Sequence, residues 1–297
     1  MRYVRFSTGS STPELGVQLA SGDVVPLSAV NASLPHDDLL ALVDALAAGA
    51  AAPTPVDVSA HAADAVPAAS ARLLSPVERP RHDILCLGVN YAAHLEETKR
   101  SVIAETAFSG PSDAVYFSKR AARILGPGEA IEGAFDVDPE LDYEAELAVI
   151  LGRGGRNIAA ADAEAHVFGY SVFNDVSSRG LQRAHAQWFL GKSVDTYAAM
   201  GPAVVTADEL PMPLELGIRS IVNGELRQDS NTRLLIHGVA EVIAELSQVM
   251  TLEAGDIISM GTPAGVGMGF QPPRWLKAGD TVTCEIDGIG SLENPVR

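Results

Sequence analysis

Cysteine is scarce in this chain, with only Cys86 and Cys284 in 297 residues. Both have apolar neighbours and read as buried strand thiols, which excludes a disulfide framework or a thiolate metal knuckle and fits a reducing, cytoplasmic setting. Long apolar runs are lacking too. The N-terminal Met-Arg-Tyr-Val-Arg-Phe-Ser has no signal-peptide core, and the Leu39–Ala52 stretch is broken by Asp44 and too short to span a bilayer, so a soluble protein is expected. Positive charge is in deficit: 21 Lys and Arg against 38 Asp and Glu give a net charge of −17, a field that opposes nucleic-acid phosphates and anionic lipid headgroups. Neither nucleic acid nor membrane is an expected partner. No internal repeat or heptad pattern is present, which removes solenoids and coiled coils.

What is present is an ordinary globular composition, 47% apolar and 20% charged with a mean hydropathy of +0.14, and a length that permits a well-buried core. Residues 1 to about 30 alternate as a small β-meander, Asp37 and Asp38 open a helical run over Leu39–Ala48 that stops at Gly49, and Ala51–Ser70 reads as a connector. A domain boundary is therefore expected near residue 72, giving a small N-terminal α/β domain (1–72) and a β-rich catalytic domain (73–297). Strand-like runs cover Ile84–Val89, Ala114–Ser118, Tyr143–Leu151, Val167–Asn174, Ala203–Val205, Ile218–Val222, Asp256–Met260 and Thr281–Ile286. An amphipathic helix is predicted over Thr232–Met250. The expected class is β-rich α+β.

The chemistry begins in Leu141–Leu151. A period of two puts Asp142, Glu144 and Glu146 on one face of a strand, where like charges repel unless the face is solvated or a cation is bound between them. Asp175, which follows the apolar strand Gly169–Asn174, can complete a facial set of three carboxylates. Three such oxygens without His or Cys suit a hard ion, Mg²⁺ or Mn²⁺, with open positions for water or substrate. His94 and Glu97 stand at i and i+3, so one helical turn would make them a pair able to move a proton. The glycine-rich Gly261–Gly269 offers backbone N–H groups for a carboxylate or enolate oxygen. It is no phosphate loop, because no Gly-Lys-Ser/Thr follows and Phe270-Gln-Pro-Pro273 cannot start a helix. Lys192, Arg179 and Gln182 are candidate partners for an anionic substrate. His166, His185 and His237 are read as structural, His237 as part of the amphipathic helix, and Trp188 as a packing residue.

In order along the chain, Gly88-Val-Asn-Tyr-Ala-Ala-His94-Leu-Glu-Glu97, Tyr116-Phe-Ser-Lys119, Asp142-Tyr-Glu144-Ala-Glu146-Leu, Phe173-Asn-Asp175-Val, Gln187-Trp188 with Lys192, Val222-Asn-Gly224, Met250-Thr-Leu-Glu-Ala-Gly-Asp256 and Gly261-Thr-Pro-Ala-Gly-Val-Gly267 resemble the fumarylacetoacetate hydrolase family over roughly residues 73–297. The resemblance implies a mixed β-roll and commonly a homodimer. By it, Glu144, Glu146 and Asp175 hold Mg²⁺ or Mn²⁺, His94 and Glu97 form an acid/base dyad on a mobile lid, and Lys192 stabilises developing negative charge. Tyr91, Arg179, Gln182 and Thr262 are the implied substrate contacts. Gly180 stands where an acidic residue is frequent and Arg120-Ala121 where prolines are frequent, so Arg120 or Arg123 is a candidate extra carboxylate contact. The expected activity is hydrolysis of a C–C bond in a small 2,4-dioxo acid, with a hydroxy-diene-dioate isomerase or an oxaloacetate-type decarboxylase as alternatives. A non-catalytic metal- or ligand-binding member of the family is the alternative of another class; a nucleotide enzyme is disfavoured by the missing phosphate lysine.

Overall fold

The computed structural model describes residues 1–9, 11–101, 113–185 and 187–297. Strands β1 (Arg2–Ser7), β2 (Glu14–Gln18) and β3 (Val24–Pro26) form the expected meander. Helices α1 (Leu27–Val30), α2 (Leu39–Ala47) and α3 (Pro55–Ala60) follow. The Asp38 carboxylate fixes the start of α2 by accepting from the N–H groups of Leu40 and Ala41 at 2.7 and 3.1 Å. Next come β4 (Arg72–Leu74), β5 (Ile84–Leu87), α4 (Ala92–Thr98), β6 (Tyr116–Lys119), β7 (Leu141–Asp142), β8 (Ala145–Leu151) and β9 (Val167–Asp175). They are followed by β10 (Ser177–Ser178), α5 (Arg179–Ala184), α6 (Phe189–Lys192), β11 (Ala198–Thr206), β12 (Gly217–Val222) and β13 (Glu225–Asn231). The chain ends with α7 (Val239–Val249), β14 (Ile257–Ser259), β15 (Thr281–Ile286) and β16 (Gly290–Pro295).

Ten strands make one sheet in the order β3-β2-β1-β11-β9-β8-β14-β5-β6, with β4 also paired to β1; β13-β12-β15-β16 make a second sheet, and β7 pairs with β10. Because Arg2 pairs with Val205 and Tyr3 with Val204, the N-terminal meander extends the sheet formed by the rest of the chain. Both faces of that sheet are covered. Along β8, Ala145, Leu147, Val149 and Leu151 enter one core with α7 and the second sheet, while Ala148 and Ile150 enter another with α2 and the meander. The period of two in this strand therefore sorts side chains between two cores, and Leu141 to Ile150 are all buried.

Two sequence expectations need correction here. The run Leu141–Leu151 is not one strand: β7 leaves to pair with β10, and Tyr143 and Glu144 form the joint before β8. The helix expected over Thr232–Met250 is a 3₁₀ turn at Thr232–Leu234 followed by α7, because residues 235–237 run instead beside Asn90 and Tyr91. His237 is thus outside the helix, with its N–H donating to the Asn90 side chain at 2.8 Å. Glu241 fixes the new helix start by accepting from the Gly238 N–H. Among the described residues no helix is long and apolar enough to cross a membrane.

Candidate active site

Three acidic side chains converge for reasons of register. Ala145 pairs with Asn174 and Glu146 with Phe173, and the Asp175 N–H donates to the Glu144 carbonyl at 3.0 Å, so Glu144 lies opposite Asp175 on the neighbouring strand. Directly opposed residues share a face, and so do residues two apart. Glu144, Glu146 and Asp175 therefore point into one space, each contributing an oxygen within 4.8 Å of the others, and all are buried. The backbone between the two glutamates is clamped: Gln228 Oε1 accepts the Ala145 N–H and the Thr262 hydroxyl donates to the Ala145 carbonyl.

Buried carboxylates need counter-charge. Lys192 Nζ is 2.5 Å from Glu144 Oε2 and 2.8 Å from Asp175 Oδ2, and Lys119 Nζ is 2.6 Å from Asp175 Oδ1. Arg179 joins Glu144 Oε1 at 2.6 Å to Asp142 Oδ2 at 3.0 Å. Burial opposes ionisation of Glu144, but Lys192 and Arg179 outweigh it and hold this carboxyl well below the usual range. Among the described residues no cation pairs with Glu146; burial and the neighbouring Asp175 and Glu144 charges push it well above that range, although the Lys192 charge opposes the shift and Ser259 and the Gly261 N–H donate to it. The donor set fits a hard divalent ion: three carboxylate oxygens and no soft ligand, with one acid left uncompensated.

The second element is the predicted pair. His94 Nδ1 is 2.9 Å from Glu97 Oε2, and Glu97 Oε1 accepts the Gly265 N–H at 2.9 Å. With Nδ1–H donated to the carboxylate, Nε2 of the neutral ring keeps its lone pair. Helix α4 presents His94 and Thr98, one turn apart, to a narrow cleft lined also by Gly88, Phe117, Glu144, Arg179, Gln182, Trp188, Lys192 and Met268. Asn90 anchors the start of α4 by donating to the Met260 and His237 carbonyls.

Several expectations change at close range. The N–H groups of the glycine-rich segment hold the protein's own carboxylates: Gly261 serves Glu146, Gly265 serves Glu97, and Gly267 and Met268 serve Asp142. A Cβ on Gly269 would lie 1.9 Å from Glu97 Oε1, and one on Gly267 would lie 2.6 Å from Asp142 Oδ1, which explains glycine at both positions. Asp142, expected beside Glu144 on a strand face, is tied into this loop and to Arg179. Trp188 is a wall of the cleft as well as a packing residue, its ring 5.4 Å from that of Phe117.

Thr262 and Tyr91 are not among the residues that line the cleft, and neither are Glu146, Asp175 and Glu97. The Thr262 hydroxyl is engaged by Ala145 and Gln228, and the buried Tyr91 hydroxyl has no hydrogen-bond partner among the described residues. Burial and the Glu146 charge push the Tyr91 phenol up. Arg120 is exposed, and Arg123 is paired with Glu129 and Glu78, so neither supplies the cleft with an extra guanidinium. His166 and His185 stay outside it. Sequence reasoning missed Lys119 as part of the site; its signal was the period of two that aligns it with Phe117 on β6.

A buried carboxylate triad with its counter-cations thus adjoins a cleft that His94, Glu144, Arg179 and Lys192 line. The chain belongs to the fumarylacetoacetate hydrolase family, whose model, described as Fumarylacetoacetate (FAA) hydrolase C-terminal, matches residues 83–297. Over its whole length it is 39% identical to 90% of the oxaloacetate tautomerase fahd2, mitochondrial, of Xenopus laevis. It superposes with a TM-score of 0.82 on a fumarylacetoacetate hydrolase from psychrophilic Exiguobacterium antarcticum, at 37% identity over 100% of this chain and 99% of that one. Maleylpyruvate hydrolase from Sphingobium sp. SYK-6, solved in complex with manganese(II) ion and pyruvate, is 28% identical with a TM-score of 0.76 over 100% and 98% of the two chains.

Proposed function

We propose that this chain interconverts the keto and enol forms of a small 2-oxo diacid of the oxaloacetate type, with Mg²⁺ or Mn²⁺ held by Glu144, Glu146 and Asp175. The observation that carries this reading is the position of His94, braced by Glu97, on the same cleft as Glu144 and Lys192. Tautomerisation moves one proton from carbon to oxygen and asks for one base, one acid and positive charge near the oxygen. His94 Nε2 takes the C3 proton, the C–H pair becomes the C2–C3 double bond, the carbonyl pair moves onto O2, and the His94 imidazolium then returns the proton to O2 and is neutral again. Glu97 stabilises the imidazolium that forms. Lys192, with two of its three N–H groups directed to Glu144 and Asp175, has one left for the developing oxygen charge. A divalent ion held by Glu144, Glu146 and Asp175 would supply further positive charge to stabilise the enolate. Gln182 accepts from Arg179 through Oε1, which leaves its NH₂ group for a substrate carboxylate.

The sequence similarity to an oxaloacetate tautomerase over the entire chain supports this reading over C–C hydrolysis. Hydrolysis remains a second reading because the same His94–Glu97 pair can deprotonate water, as a maleylpyruvate hydrolase relative would require. The deciding experiment follows loss of enol absorbance from freshly dissolved enol-oxaloacetate and, in parallel, pyruvate release from acylpyruvates, each with Mg²⁺, Mn²⁺ or chelator. Metal-dependent enol loss without pyruvate release is the expected result. Rapid cleavage of an acylpyruvate with no acceleration of enol loss would replace tautomerisation by hydrolysis.

A further inference from the structure

The Tyr116–Lys119 motif has no role in the proton transfer above, yet its strand touches Lys192 at two points and the residue after the strand touches Ser193. The Lys192 ammonium lies 5.2 Å from the centre of the Phe117 ring. Lys119, two residues on and therefore on the same face of β6, directs Nζ to the Lys192 carbonyl, to the Val176 carbonyl at 3.0 Å and to Asp175 Oδ1 at 2.6 Å. The next residue, Arg120, donates its backbone N–H to Ser193 Oγ at 3.1 Å. Two carbonyls accept hydrogen bonds from the Lys119 ammonium and the Asp175 carboxylate offsets its charge, so this buried lysine is committed to the protein's own groups. We infer that β6 and its exit residue are the positioning element for Lys192: Phe117 lies against the head of its side chain, Lys119 holds its carbonyl and Asp175 together, and the Arg120 N–H fastens the following residue.

The inference rests on Lys192 acting at the reacting oxygen, as in the proposed function, but its geometry stands apart from which 2-oxo acid is used. Helix α6 is one turn long and has no side-chain cap, so by itself it cannot hold a lysine to the tolerance that stabilising a developing charge demands. An external brace on its last residue and on the residue after it supplies that tolerance. The Arg120 contact needs a backbone hydrogen, which proline lacks, so a proline at this position would remove the tether.

Ser193→Ala and Arg120→Pro test this without touching a group in the cleft. Hydrogen exchange is read on the peptide spanning residues 189–194, and kcat and KM for enol-oxaloacetate are measured in wild-type and Lys192→Met backgrounds. Both variants are expected to keep the wild-type Tm and Mn²⁺ affinity, to speed exchange in that peptide, and to lower kcat about fivefold, the scale of one hydrogen bond, at unchanged KM. Neither should lower kcat further once Lys192 is replaced. Unchanged exchange in both variants, or the same fold-loss in the Lys192→Met background, overturns the inference. Should wild-type protein leave enol-oxaloacetate untouched, the proposed function fails while the exchange result still decides the role of β6.

Discussion

Glu146 and Asp175 leave from adjacent strands in the middle of a sheet buried on both faces, and Glu144 from the joint just before one of them, whereas His94 and Glu97 leave from α4, a seven-residue helix without a side-chain cap. Around the triad, lysines, an arginine, a serine hydroxyl and backbone N–H groups tie down most oxygens. Around the dyad, the ties are fewer: one N–H from Gly265, and the anchoring of Asn90 two residues before the helix. The difference teaches how the work is divided. Fixed charge is stored on the buried, cross-tied sheet, and the group proposed to gain and lose a proton is carried on a lighter support.

The largest expected effects come from the strand side. Glu146→Gln removes the one acid without a cation and should abolish metal-dependent turnover while leaving the fold intact, because the neutral amide matches the proton that burial already favours there; full activity with added Mn²⁺ would break the comparison. On the helix side, His94→Gln should lower kcat roughly a thousandfold with Mn²⁺ affinity unchanged. A smaller loss, about a hundredfold, is expected for Glu97→Gln. Gly269→Ala should match it, since the added methyl occupies the position of the Glu97 carboxylate. If Gly269→Ala were as active as wild type, Glu97 would have no need of its present position.

A pH scan sharpens the same contrast. In metal-free protein the raised Glu146 carboxyl binds a proton that the unfolded chain releases in the ordinary glutamate range. Stability conferred by this group is therefore full below that range and declines as pH rises towards the folded-state value. Tm of the metal-free chain should fall over that window and recover with Mn²⁺, the recovery growing with pH because ion and proton compete for one carboxylate. A Tm gain from Mn²⁺ that shrinks with rising pH would contradict this. The smallest effect is reserved for Thr262→Val, expected to lower stability by about 1 kcal/mol through loss of the Ala145 and Gln228 contacts, with KM unchanged. A large rise in KM would make Thr262 a substrate contact.

Much of the site was legible because it is local. Glu144 and Glu146 follow from a period of two, and His94 with Glu97 from one helical turn, so each pair needs only a few residues of context. Asp175 was legible as a strand end, but its position opposite Glu144 depends on a register that no local pattern states. The remainder joins residues far apart in sequence. Asp142 meets Gly267 and Arg179, Thr262 meets Ala145, and Lys119 meets Asp175 only after the sheet has assembled. The same holds for the fold: the meander and α2 were visible, whereas pairing of Arg2 with Val205 was not. Two-sided burial of β8 also hid the distinction between an acidic solvated face and an acidic interior, because only apolar partners from both layers reveal it.

The most direct measurement is a calorimetric titration of metal-free protein with Mn²⁺, repeated on Asp175→Asn. One ion per chain for the wild type, with binding lost in the variant, is the predicted result. Absence of binding to the wild type, or undiminished binding after the Asp175 change, would contradict a shared ion at the three carboxylates.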